Sequence, residues 1–279
     1  MLRKAAQITD PPNVIARSVL LGVQINAIDY EAAVERIIQA AHARQSMGVS
    51  ALAVHGVMTG VLDAEQGYRL NKLDLVVPDG QPVRWALNML YGTKLTDRVY
   101  GPNLTLYVCE RAAAEGLPIY LYGSTEAVLR SFAANLQQRF PALQVAGSQP
   151  SRFCKLSVEE KSAVVNKIVE SKAAITLVGL GCPRQEVWVY EHLGLLSMPK
   201  LAVGAAFDFH AGTLSQAPPL MQRLGLEWLY RLSREPRRLW KRYLFLNPHY
   251  LALLALQLFK LRQFPVLDRQ IPSDETRYG

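Results

Sequence analysis

The side chain best placed to do chemistry is Asp79. It closes the apolar run Val76-Val77-Pro78 and precedes Gly80, with a helix expected over 81–90 directly behind it. That order sets a carboxylate where a strand meets a helix N-terminus, the usual mouth of an open α/β sheet. The amides of a first helical turn and the helix dipole favour negative charge there. Two readings fit: Asp79 only caps the helix that follows, or it works on a ligand at the sheet edge.

Two further loops put polar groups at strand ends. Residues 178–186 read Val-Gly-Leu-Gly-Cys-Pro-Arg-Gln-Glu, a glycine-rich turn leading into a helix with Pro183 at its first turn. The amides around Gly179 and Gly181 could receive a diphosphate without a metal ion. The stretch is not a dinucleotide fingerprint, because the third glycine of G-x-G-x-x-G would fall at Arg184. Residues 204–212 (GAAFDFHAG) form the third loop, where small residues permit close backbone approach and Asp208 could bond a ribose or a base edge. Glycine-rich strand–helix turns also arise for steric reasons alone, so each loop by itself carries two readings. His55, directly after a strand, would face the same edge as Asp79 and is a candidate ligand contact or a packing residue. The five histidines show no metal-ligand spacing, and there is no D-x-D pair, P-loop or G-x-S-x-G elbow.

These loops need a scaffold. Apolar strands are expected at 18–25, 51–54, 73–77, 118–122, 143–146, 174–179 and 201–207. Helical patterns lie between them at 30–44, 56–70, 81–90, 103–115, 126–140 and 158–171. Alternation of this kind implies a Rossmann-like, mostly parallel sheet with helices on both faces and ligands at the carboxyl ends of the strands. The α/β core is expected over residues 14–215. Beyond it, helices are expected at 220–232 and from Pro236, and a last one over 248–264 with Asn247-Pro248 as cap and first turn. Residues 216–264 thus form a basic helical appendage, with 1–13 and 265–279 as flexible ends.

Composition agrees with a folded chain: 279 residues, half of them hydrophobic, with a net charge of +8. Between positions 221 and 262, nine Lys and Arg face only Glu227 and Glu235, so nearly all the excess charge sits in the appendage. Such a segment seeks phosphate-bearing partners. Its last apolar stretch is broken by Gln257 and Lys260 and falls short of the roughly 20 residues that cross a bilayer. A basic amphipathic bundle lying on a membrane fits, as does a helical appendage packed on the core with its charges in water. Three cysteines without close spacing suit a reducing compartment, and the N-terminus lacks a secretory h-region.

The chain resembles the WecG/TagA/CpsF glycosyltransferase family in the stretches VVPDG (76–80), RVYGPNL (98–104), GLGCPRQEVW (179–188), VGAAFDFHAG (203–212) and GLEWLYRLSREPRRLWKRY (225–243). The resemblance implies a metal-independent, inverting transfer of a sugar from a UDP-sugar to a polyprenyl-diphosphate-linked saccharide during synthesis of a bacterial surface polymer, with no cofactor. By motif, Asp79 falls on the catalytic base. Arg98 and Gln185 fall on pocket residues, while Gly179, Gly181, Asp208 and His55 are donor-side candidates from the reading of their own loops. Arg231 and Arg238 fall on the arginines of an appendage that closes over the site at the membrane, and the third such cation matches Lys241 or Arg242. The family's Thr and Asn after the second strand are replaced here by Ala53 and His55, so an N-acetylmannosamine-type donor and a hexose such as glucose both stay open. The implied partners are the donor, the lipid-linked acceptor and the anionic inner leaflet of the cytoplasmic membrane, where the protein would sit peripherally on the cytoplasmic side. No nucleic-acid module is evident, and homo-oligomerisation is left open. The competing classes are a dinucleotide-dependent oxidoreductase and a nucleotide-binding membrane adaptor without transferase activity. A chain ended near Gln216 would be a soluble, almost inactive core.

Overall fold

The computed structural model describes residues 17–279, apart from the side chains at 238, 241 and 242. The expectation for 1–13 lies outside the described residues. The chain opens on a hairpin, β1 (Arg17–Leu20) and β2 (Val23–Asn26), where a single strand over 18–25 was the expectation. Leu21 and Gly22 take φ of +53° and +90° and fold the strand back on itself. Then come α1 (Tyr30–His42), β3 (Met47–Leu52), α2 (Val54–Leu62), α3 (Ala64–Lys72), β4 (Leu75–Pro78), α4 (Gln81–Tyr91) and α5 (Gly101–Ala114). After them follow β5 (Ile119–Gly123), α6 (Glu126–Arg139), β6 (Val145–Gln149), α7 (Val158–Glu170), β7 (Ile175–Gly179), α8 (Arg184–Glu191), β8 (Pro199–Ala202) and α9 (Ala206–Ala211). Several boundaries differ from the periodicity: β3 starts four residues before the expected 51–54, and β6 runs three residues past 146. The helix expected over 56–70 breaks at Asp63, whose carboxylate accepts from the amides of Glu65 and Gln66 and starts α3 as a new helix. The strand expected to reach Phe207 ends at Ala202, because Gly204 at φ +49° turns the chain into α9.

Six strands pair in parallel in the order β4-β3-β8-β7-β5-β6, giving the Rossmann-like sheet. Strand side chains alternate between two cores. Ile119, Leu121, Ile175, Leu177, Leu75 and Val77 pack with α1, α5 and α6 on one face. Tyr120, Tyr122, Val178 and Val76 pack with residues of α2, α3, α4, α7 and α8 on the other. Because every strand runs the same way, the loops after β3, β4, β7 and β8 share one edge.

The basic region continues as α10 (Pro219–Arg223), α11 (Glu227–Arg234), α12 (Pro236–Lys241), a π-helical turn (Arg242–Leu246) and α13 (Asn247–Leu258). Gly225 at φ +71° divides the helix expected over 220–232, and Trp85 fills the place where a Cβ would stand there. The interruption at Pro236 falls where expected. Asn247 is no cap: the π turn runs straight into α13, which ends six residues earlier than position 264. The helix docks on the second core through buried Tyr250, Leu253 and Leu254. Gln257, which interrupts its apolar pattern, anchors it to the hairpin by accepting from the Leu21 amide (3.0 Å) and donating to the Val19 carbonyl (2.8 Å). Residues 265–279, expected as a loose end, are laid along the body instead. Leu267 bonds the Gly22 carbonyl, and the Arg277 carbonyl and Gly279 amide bond Leu156 and Cys154.

Candidate functional site

Asp79 follows the buried strand β4 and keeps its own amide bonded to the Leu52 carbonyl of β3. The cap of α4 is Gly80, without any side-chain bond, so Asp79 does not cap the helix behind it. Its Oδ1 accepts instead from the amide of Gly101, the first residue of α5, at 2.6 Å. One carboxylate oxygen therefore serves a helix start, as the bland reading required, but of a different helix. Burial pushes the carboxyl up to about 6 and Glu227 pushes the same way, while Arg98, the Gly101 amide and Arg231 pull it down. A half-buried carboxylate titrating near 6 is suited to accepting a proton at neutral pH.

Arg98 is buried, and its Nη2 donates to Glu227 Oε2 (2.7 Å) and to Gln222 Oε1 (3.3 Å). Its guanidinium lies over the Tyr100 ring at 4.1 Å, and the Tyr100 hydroxyl donates to the other Glu227 oxygen at 3.0 Å. Burial pulls the Arg98 cation down, but Glu227 and Asp79 outweigh it and hold its pKa above the ordinary value. Glu227 and Arg231 stand four residues apart on α11 and so share one helical face. Arg231 extends over Phe209 at 5.9 Å, and its buried Nε makes no hydrogen bond among the described residues. The site thus gathers Asp79, Arg98 and Arg231 from the motif reading, and adds Tyr100 and Glu227, which that reading passed over. Glu227 carried a signal: it is one of only two acids in the cationic stretch and opens a helix that carries Arg231 one turn on.

In the glycine-rich loop after β7, both glycines have partners within the protein. A Cβ on Gly179 would stand 2.7 Å from the Phe207 ring, so packing alone explains that glycine. Gly181, at φ +76°, gives its amide to Gln185 Oε1 at 3.1 Å. Buried Gln185 also donates to Glu186 Oε1 (2.9 Å) and packs against Gly204, where a Cβ would come within 2.8 Å of Oε1. Glu186 is buried, accepts from Ser50 Oγ at 3.2 Å, and is pushed above the ordinary carboxyl range by burial. Neither Glu186 nor Ser50 stood out in the sequence, since a glutamate in a helix's first turn reads as a dipole partner.

Asp208 lies on α9 rather than at a strand end, half-buried, and its Oδ1 accepts from Thr213 Oγ1 at 3.3 Å. The structure engages it with its own turn. His55 is half-buried in the first turn of α2, at the carboxyl edge that carries Asp79. His210 bonds the Pro102 carbonyl and stacks near Phe132, as a packing residue does. The side chains of Arg238, Lys241 and Arg242 lie outside those described, so their approach to the site is not placed. Among the described residues, no three His, Cys, Asp or Glu side chains group as a metal site, and no helix is long and apolar enough to cross a membrane.

Against known protein families, residues 18–264 match the Glycosyl transferase WecG/TagA/CpsF family.

Proposed function

The chain belongs to this glycosyltransferase family, and from that premise we propose that it moves a sugar from UDP to a polyprenyl-diphosphate-linked saccharide with inversion, Asp79 acting as the base. The observation that carries the reading is a carboxylate at the sheet's ligand edge, set near pKa 6, with Arg98 and Arg231 as its cationic neighbours. In a single displacement, Asp79 takes the proton of the acceptor hydroxyl as that oxygen attacks the anomeric carbon and the bond to UDP breaks. The departing diphosphate gathers negative charge that arginine forks can bind bidentately. Arg98 already shares its charge with Glu227, so Arg231, with its unbonded Nε, is the freer cation for that task.

The Gln185–Gly204 contact and His55 border the donor side, and the donor is an N-acetylmannosamine-type sugar or a hexose such as glucose. The enzyme works without a metal ion or cofactor in this reading, peripherally on the cytoplasmic face of the membrane. Supporting that position, Leu220, Leu244, Phe245, Phe259 and Leu261 are each more than 60% exposed in the same region as exposed Arg223, Arg234, Arg237, Lys260 and Arg262. An amphipathic surface of this kind binds anionic lipid by apolar insertion and charge together.

The direct test supplies the full-length protein with radiolabelled UDP-sugars and a polyprenyl-diphosphate acceptor in anionic vesicles. The reading expects label to pass to lipid from one donor class. Absence of label in lipid with every donor, under conditions where the protein is folded, contradicts it.

A further inference from the structure

The acidic group at the heart of the site comes from the appendage. Both oxygens of Glu227 are spent on core residues: Oε2 on Arg98 at 2.7 Å and Oε1 on the Tyr100 hydroxyl at 3.0 Å. The pair is nearly dry, with side-chain exposures of 8% for Arg98 and 13% for Glu227. Gln222 of α10 adds a second bond to the same guanidinium and fixes its own amide on the Ala217 carbonyl. With the plane of Arg98 held over Tyr100, the described ion pair of Arg98 is with Glu227 and not with Asp79. A surface ion pair would be worth little, but a buried one fixes geometry and penalises the loss of either partner.

We propose that Glu227 is a positioning residue of the transfer reaction: it holds Arg98 on Tyr100 and out of an ion pair with Asp79, so that the base is set only while the appendage is docked. This rests on the transferase reading for its meaning, though not for its test. A free Arg98 would turn toward Asp79, the other carboxylate whose charge acts on it, and an aspartate paired with arginine is a poor base at neutral pH. By occupying that guanidinium, Glu227 leaves Asp79 with a single backbone bond, from Gly101.

Among the described residues, the charged and titratable groups facing the two acids are few. Arg98 and Tyr100 come from the loop before α5, and the hydroxyl oxygen of Tyr30 from α1 accepts from the Tyr100 amide. Arg231 comes from α11 itself. Asp97 and Arg223 border the adjoining cavity of about 150 Å³ between Gln81, Tyr100 and α10. Removing the Glu227 charge takes away a like charge and frees an opposite one, and both changes favour ionised Asp79. The shift is therefore downward.

The experiment compares full-length wild type, Glu227→Gln and Glu227→Asp. Asp79 is followed by carbon-13 NMR of labelled aspartate carboxyls, assigned with Asp79→Asn, and kcat/KM is followed against pH. In Glu227→Gln we expect the Asp79 midpoint to fall by about one pH unit, with the acid limb of kcat/KM moving by the same amount. Glu227→Asp restores both toward wild type, and protease sensitivity of residues 212–218 stays at the wild-type level. Should Glu227→Gln fail to fold, Tyr100→Phe, which removes one of the two bonds fixing the carboxylate, gives a smaller fall in the same direction. An unmoved Asp79 midpoint overturns the proposal. So does a fall that comes only with protease release of the appendage, since Glu227 would then be a docking contact alone. A fall in a protein that transfers no sugar supports the proposal and counts against the transferase reading instead.

Discussion

A carboxylate held near pKa 6 inside a fold costs stability when it is charged. The folded value of Asp79 is raised from 3.8, so the native state binds its proton more tightly than the unfolded chain does. The cost is absent below about pH 4 and grows as pH rises through the interval up to about 6. Asp79→Asn, which can still accept from Gly101, should therefore stabilise the protein by about 1–2 kcal/mol at pH 8 and leave it unchanged at pH 4. Thermal midpoints at the two pH values check this. Gly204 makes a second prediction at this scale. With φ at +49° and Gln185 Oε1 2.8 Å from any Cβ, Gly204→Ala should cost about 1–3 kcal/mol in denaturant unfolding and displace the Gln185 amide. Residue type and its place at a strand end singled out Asp79, whereas Gln185 and Arg98 came forward only through the family motifs. Neither route could show that Gly179 serves Phe207 or that Asp208 serves Thr213, since a long-range packing partner leaves no mark beside a glycine in sequence.

At the scale of elements, periodicity found the parallel α/β alternation and missed where tertiary contacts cut across it. The hairpin at Leu21-Gly22 reads as one strand because its apolar pattern runs through the turn. The break at Gly225 was hidden for a similar reason: leucines on both sides continue the helical pattern, while the cause of the break, Trp85, lies 140 positions away. The fate of α13 bears on truncation. Tyr250, Leu253 and Leu254 belong to the second core, and burial of each side chain is worth about 1.5–3 kcal/mol. A chain ended at Gln216 should then lose several kcal/mol and show a lowered thermal midpoint, rather than remain the sound core that the sequence suggested. Circular dichroism melting of the truncated and full chains measures this. An unchanged midpoint would mean that α13 adds nothing to the core it touches.

The whole molecule joins a parallel sheet to a cationic helical cover. The α/β core supplies Asp79, Tyr100 and Arg98, and the cover brings Glu227 and Arg231 to the same edge while turning Leu244 and Phe245 outward. Replacing Leu244 and Phe245 with Ser should weaken sedimentation with anionic vesicles several-fold and leave the melting midpoint unchanged, since both are exposed. The charge asymmetry that suggested a membrane partner was plain in the sequence. That the same segment carries an acid to the sheet edge that holds Asp79 was not, because an average over forty residues hides one glutamate among nine cations. The central claim is that Asp79 removes the acceptor's proton, and one comparison tests it most directly: UDP-sugar binding and sugar transfer measured side by side for wild type and Asp79→Asn. The account predicts donor affinity within about threefold of wild type, with transfer reduced by about 10²–10⁴. Transfer by Asp79→Asn at close to the wild-type rate would contradict it.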